Sequence, residues 1–297
     1  MAAFEVDADR RLLALSQRLL EGRYRHGRYR VRRVFEPKSR LIAVAGVADR
    51  IVHTALHNAL APWFNRRLID DTYACLPGRG THRAVFRFLE FYRGYRYMLH
   101  LDIGQYFPSV DHGTLLGLLD SKMRDERVVA LLEEILASGW RFYARPDVRE
   151  FYQLSGLDAS TPGSGLPIGN LTSQWWGNLY LSGLDHFIKR NLKSRGYVRY
   201  MDDFALFSDD ARTLVHWKHE VAQWLWEHRL LHLKNIKTKP IATRHPHVFL
   251  GTRVRRSGLD PAPLFMRSYR HALAQSIHEA PEAFAASLTA RKSVFLA

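Results

Sequence analysis

Tyr200-Met201-Asp202-Asp203 lies between two short runs, Tyr197-Val198-Arg199 and Phe204-Ala205-Leu206-Phe207. Two strand-like runs around a tight acidic turn predict a β-hairpin with adjacent carboxylates at its tip. Aspartate is a poor strand former, and neighbouring carboxylates repel each other. Local structure therefore does not account for the pair, whereas two divalent cations would. Chance alone yields about 0.04 Tyr-x-Asp-Asp tetrads in a chain of this length and composition, so the flanking sequence has to carry the rest.

A second acidic strand end lies upstream. Tyr97-Met98-Leu99-His100-Leu101-Asp102-Ile103 is an apolar run closed by Asp102, just ahead of Gly104-Gln105-Tyr106-Phe107-Pro108. Taken singly, Asp102 either ends a strand or serves as a ligand. With Asp202 and Asp203 it forms a hard, anionic, oxygen-only set that suits Mg²⁺ rather than zinc. Two such ions about 3.5–4 Å apart activate an attacking hydroxyl and stabilise a departing phosphate oxygen. Phosphoryl transfer is the expected reaction class.

Composition agrees. The 297 residues, 46% hydrophobic and 25% charged, suffice for a substantial core in one large domain or two. The 44 Lys and Arg against 29 Asp and Glu leave a formal charge of +15, which points to a polyanionic partner. A single cysteine excludes an internal disulfide and a multi-cysteine zinc site. No apolar run approaches the ~20 residues needed to span a bilayer. Glu5, Asp7, Asp9 and Arg10-Arg11 leave no apolar core for a secretion signal. A cytoplasmic protein with no membrane partner is expected.

Along the chain, leucine spacing predicts a helix over 8–22, followed by an arginine-rich stretch. Arg28, Arg30 and Arg32 alternate with Tyr29 and Val31, so a strand there has one basic face, either solvated or laid on phosphates. Asp49 is expected to cap a helix over 50–60 that Ala61-Pro62 ends, with Val52, Ala55, Leu56 and Leu60 inward. His53 and His57, at i, i+4, read as solvated or RNA-facing. Residues 113–138 read as one or two helices, and the Pro- and Gly-bearing stretch 144–165 as an exposed loop. Thr172 or Ser173 is expected to cap a long helix reaching Ile188, with Trp175 and Trp176 in the core. A further helix over 211–231 has Val215, Val221, Leu225 and Trp226 as its expected inner stripe.

The ordered segments Leu101–Phe107, Gly165–Gln174, Tyr200–Asp203, Leu233–Thr238 and Phe249–Gly251 resemble, in order and spacing, the motifs of the reverse transcriptases, the right-hand RNA-directed DNA polymerases. The resemblance covers roughly residues 28 to 255. It implies an α+β right-hand polymerase with fingers (1–96), a ferredoxin-like palm (97–255, with an inserted fingers segment at about 113–164) and a short helical thumb (256–297). Ile168 stands where most of the family carries Gln, and Ser173-Gln174 replaces Ser-Pro. With Thr72-Tyr73-Ala74-Cys75 and Gly78-Arg79-Gly80-Thr81-His82-Arg83-Ala84, these departures are similar to the enzymes of diversity-generating retroelements, which copy a template RNA into cDNA with errors opposite adenine. Removing a hydrogen-bonding amide removes the selectivity built on it. Group II intron-like and defence-associated bacterial reverse transcriptases are the alternatives, and a non-catalytic RNA-binding module is the reading from a different class.

The resemblance also implies residue roles. Asp102, Asp202 and Asp203, with the Ile103 carbonyl, would bind two Mg²⁺ ions. Lys38 and Arg40 would hold the triphosphate of an incoming dNTP, joined by backbone groups of Gly104, Gln105 and Tyr106. Phe107 would be a steric gate against a ribose 2′-hydroxyl, or else a core aromatic. Ile168, Gly169 and Gln174 would shape the nucleotide pocket. Lys237 would protonate pyrophosphate, or else be a surface charge. Leu250 and Gly251 would belong to a primer-gripping hairpin. Template RNA, a cDNA or primer strand and a basic accessory protein are the implied partners.

Overall fold

A computed structural model describes residues 7–35, 39–120, 125–154 and 163–261. The elements in chain order are α1 (Ala8–Leu20), β1 (Arg30–Val34), β2 (Arg40–Val44), α2 (Val47–Asn65), α3 (Thr81–Gly94), β3 (Tyr97–Asp102), α4 (Tyr106–Ser109), α5 (His112–Asp120), α6 (Glu126–Tyr143) and α7 (Pro146–Tyr152). There follow α8 (Leu171–Tyr180), α9 (Ser182–Arg190), β4 (Gly196–Tyr200), β5 (Asp203–Ser208), α10 (Ala211–Arg229), β6 (Ile241–Ala242), β7 (His247–Phe249), β8 (Thr252–Arg255) and β9 (Gly258–Pro261). The described residues divide into two compact units, one within 7–69, 102–187 and 220–236, the other within 70–101, 188–219 and 237–261.

In the first unit, β1 and β2 form an antiparallel ribbon with Arg30 opposite Val44 and Val34 opposite Arg40. Strand alternation leaves Arg30 and Arg32 exposed and buries Leu41 and Ala43. Those residues join Tyr29, Phe142, Tyr143, Val148 and Leu154 in one core cluster, which docks the ribbon on α6 and α7. α2 packs on α8, with the Phe64 ring against Trp175. Trp175 and Trp176 are both core residues, as the sequence predicts.

The second unit holds a four-stranded sheet in the order β4-β5-β3-β6 and a three-stranded meander, β7-β8-β9. α3 covers them with Phe88, Phe91 and Tyr92, packed on Met98, Val198, Phe207, Phe249 and Val254. The expected hairpin is present: β4 and β5 pair with Tyr200 opposite Asp203, so Met201 and Asp202 form the turn. Leu250 (φ 47°) and Gly251 (φ 77°) join β7 to β8. Two successive left-handed residues make the kind of turn whose twist suits a two-residue hairpin.

Several expectations need correction. Asp49 is not a cap. α2 starts at Val47 after Gly46, and the Asp49 carboxylate is buried, accepting from the Tyr24 hydroxyl at 2.7 Å. The helix also passes Pro62 to reach Asn65, and Ala55 faces outward. His53 is buried, with Nε2 3.2 Å from Nε2 of His26. Within 144–165, Pro146 starts α7 rather than breaking structure, since proline suits the first helical turn. Asn170 stands at the cap position of α8, and Thr172 and Ser173 are buried inside that helix. The long helix is two, α8 and α9. On α10 the buried stripe is Leu214, Lys218, Val221 and Leu225, while Val215 and Trp226 are 40% and 48% exposed. A shift of one residue rotates a helical side chain by about 100°. Residues 258–261 form strand β9 rather than the start of a helical thumb, and the rest of the expected thumb lies outside the described residues.

Candidate active site

β3 ends on Asp102, and β5, its neighbour in the sheet, begins with Asp203. A distinct set of side chains surrounds each carboxylate.

Asp203 is held by histidines. Its Oδ1 contacts Nε2 of His100, and Nδ1 of His100 lies 2.8 Å from Nε2 of His247. A carboxylate only accepts, so the His100 Nε2–H donates to Asp203. Burial, and next the neighbouring His100, push the His247 pKa down to about 4, with Asp203 opposing. The Phe249 ring stands edge-on to His100 and restricts it sterically. The hairpin tip has its own brace. Arg199, fully buried, donates from Nη1 to the Met201 carbonyl at 2.9 Å, and the Thr81 hydroxyl donates to the Tyr200 hydroxyl at 3.1 Å. Met201 takes the left-handed φ of 61° that this tight turn requires. Asp202 is the partly buried turn residue.

Asp102 is held by a lysine. Nζ of Lys234 lies 2.6 Å from its Oδ2, with the two side chains 55% and 40% exposed. The residues after β3 pair with the segment that follows α10. Ile103 bridges Leu233 in antiparallel register, the Lys234 N–H donates to the Asp102 carbonyl and the Gly104 N–H to the His232 carbonyl, both at 2.9 Å. That bond takes the Gly104 N–H out of the set of donors expected to meet a triphosphate.

The remaining expected residues fall as follows. Gln105 is left-handed at φ 45° and donates from Nε2 to the Tyr152 carbonyl at 3.1 Å. Tyr106 is buried, its hydroxyl donating to the Gly177 carbonyl at 2.5 Å. Phe107 is half-buried rather than sealed in a core. The Ile168 carbonyl accepts from the Ala43 N–H at 2.8 Å, which fastens the 165–170 loop to β2. Gly169 has φ +112°, and a Cβ there would stand 2.5 Å from Ile42 Cγ2 and 3.1 Å from the Ala43 carbonyl. Only glycine fits. Gln174 is partly buried on α8, Arg40 opens β2 in the open, and Lys237 is exposed. Lys38 lies outside the described residues. Among the described residues no group of three His, Cys, Asp or Glu side chains is gathered as a metal cluster.

Sequence reasoning passed over His100, His247 and Lys234. Their partners are 103 and 147 residues away for His100 and 132 for Lys234. No local pattern signals such pairings. The one available hint was a histidine inside an otherwise apolar strand.

Residues 35–254 match the family model described as reverse transcriptase (RNA-dependent DNA polymerase). The chain is 25% identical over 151 residues to the group II intron-encoded protein LtrA of Lactococcus lactis, covering 51% of this chain and 23% of that protein. It is 26% identical over 290 residues to protein YkfC of Escherichia coli, covering 82% and 72%. An uncharacterized 91 kDa protein in the cob intron of Schizosaccharomyces pombe is 28% identical over 155 residues, which cover 52% of this chain and 18% of that one. The chain thus spans about a fifth of the length of the first of these relatives. In fold it resembles apo telomerase from Candida tropicalis lacking its C-terminal domain, with a TM-score of 0.52 at 12% identity over 79% of this chain and 55% of that one.

Proposed function

Because the chain belongs to the reverse transcriptase family through residues 35–254, we propose that it is an RNA-directed DNA polymerase extending a primer along template RNA by two-metal nucleotidyl transfer. The observation that carries the reading is the pair of neighbouring strands β3 and β5, one ending and the other beginning in aspartate. Carboxylate oxygens and one backbone carbonyl suit a hard divalent ion, and Asp102 already accepts the cationic Lys234.

Asp102, Asp202, Asp203 and the Ile103 carbonyl would hold two Mg²⁺ ions, which supply an activated primer hydroxyl and charge neutralisation at the departing pyrophosphate. The chain's own residues do the rest. Arg40 and Lys38 bind the dNTP triphosphate, and Gln105 and Tyr106 face it with their backbone. Phe107 excludes the 2′-hydroxyl. Ile168, Gly169 and Gln174 wall the nucleotide pocket, and Lys237 delivers a proton to pyrophosphate. Leu250 and Gly251 steady the primer from their hairpin. The exposed arginines of β1 bind RNA phosphates. Among the described residues no helix is long and apolar enough to cross a membrane, and the cytoplasm is the proposed compartment. A basic accessory protein is the proposed further partner.

The finer reading is error-prone copying of the diversity-generating type, supported by Ile168 and Ser173-Gln174. Copying of a group II intron-like RNA competes with it, favoured by the likeness to LtrA. Sequencing of cDNA separates them: errors concentrated opposite adenine, reduced by Ile168→Gln, support the first, and uniform fidelity supports the second. The basic test is extension of a DNA primer on an RNA template with dNTPs and Mg²⁺. Extension by the wild type that Asp202→Ala abolishes is expected; equal extension by a folded Asp202→Ala variant refutes the mechanism.

A further inference from the structure

We propose that Lys234 is a tethered counter-ion of Asp102 that competes with a divalent ion for this carboxylate and so sets the concentration at which the ion loads. The inference rests on the reading of Asp102 as an ion ligand. It concerns a different lysine from Lys237, the one that the motif resemblance singles out.

The pairing is built into the backbone. The antiparallel bridge between Ile103 and Leu233 and its two flanking 2.9 Å hydrogen bonds put Lys234 directly opposite Asp102. Residues opposite each other on antiparallel strands send their side chains to the same face. Strand register therefore sets the two side chains on one face, and the reach of the lysine brings Nζ to 2.6 Å from Oδ2. The lysine backbone is fixed by its N–H bond to the Asp102 carbonyl, while its four-carbon stem leaves the ammonium free to swing.

Its value to folding is small. Both side chains are substantially open to solvent, at 55% and 40%, and exposed ion pairs add little stability. Exposure has another consequence: a hydrated divalent ion can reach the same oxygen. The ammonium and the ion seek the same lone pairs, so uptake of one requires the other to withdraw. A neutral side chain at 234 removes the competitor and leaves the strand pairing, which is made by backbone groups, in place.

The test is Mn²⁺ binding, followed by electron paramagnetic resonance of the free ion. It compares the wild type with Lys234→Met, Lys234→Gln, Lys234→Arg and Asp102→Asn, each checked for a cooperative melt. Lys234→Met and Lys234→Gln should bind Mn²⁺ about threefold to fivefold more tightly, with Lys234→Arg staying near the wild type. The Mg²⁺ concentration giving half-maximal primer extension should fall by a similar factor. Unchanged or weaker Mn²⁺ binding by both neutral variants, in a protein whose binding Asp102→Asn weakens, overturns the counter-ion role alone. Binding that Asp102→Asn leaves untouched removes Asp102 as a ligand, and the counter-ion role falls with it.

Discussion

Asp203 and Asp102 sit at the ends of neighbouring strands, yet the protein treats them in opposite ways. Asp203 is tied to His100, which is in turn tied to His247 and walled by Phe249. Asp102 meets the flexible Lys234 in the open. Imidazoles wedged among aromatic rings hold a carboxylate in one orientation, because moving it would leave polar groups without partners. An exposed ammonium neutralises a carboxylate without fixing it. On the proposed reading the difference separates two tasks, aiming one acid and keeping the other exchangeable, and each task can be probed by itself.

The largest effect should come from the acids. Asp102→Ala or Asp202→Ala should lower primer extension about a thousandfold or more, since ion-borne charge stabilisation is worth several kcal/mol; single-turnover rates measure it. Loss confined to one of the two would remove the other from the proposed set of ion ligands. Gly169→Ala comes next. Its positive φ and the 2.5 Å approach to Ile42 Cγ2 should cost about 1–3 kcal/mol of stability, read by urea unfolding.

The histidine side of the comparison carries a pH signature. His247, with a pKa of about 4 in the fold, titrates near 6.5 when unfolded. The folded state therefore binds fewer protons between these values. Its stability contribution is full above about pH 6.5 and is lost as pH falls toward 4. His247→Gln should shrink the drop in unfolding free energy between pH 7 and pH 5, while Lys234→Gln leaves that drop unchanged. His53, likewise near 4, retains its share of the acid limb in both variants. Equal acid sensitivity in His247→Gln and the wild type would remove the histidine half of the contrast. The smallest effect belongs to the basic ribbon. Arg32→Ala should reduce the salt slope of RNA affinity by about one, in filter binding at several salt concentrations.

What could be read in advance followed the physics of neighbours in sequence. The Asp202-Asp203 hairpin was legible because two short apolar, strand-like runs flank a turn, and the basic ribbon because Arg30 and Arg32 share a strand face. Trp175 and Trp176 were assigned to the core from their place in an apolar helix. Asp49 misled because a carboxylate near a helix start resembles a cap; its partners, the Tyr24 hydroxyl and the Gly27 N–H, lie 25 and 22 residues away. Val215 and Trp226 misled by one helical position. Lys234 and His247 gave no local signal and His100 only that of a histidine in an apolar strand, since pairing across the chain brings Lys234 to Asp102 and His100 to Asp203.

The most direct measurement is a count of Mn²⁺ sites with a primer on template RNA and a non-hydrolysable dNTP bound. It compares the wild type, Asp102→Asn, Asp202→Asn and the double variant. If the acids share their ions, each single variant loses the same tight binding and the double loses nothing further, a strong departure from additivity. Independent, additive losses, or tight binding that survives both substitutions, would contradict the account.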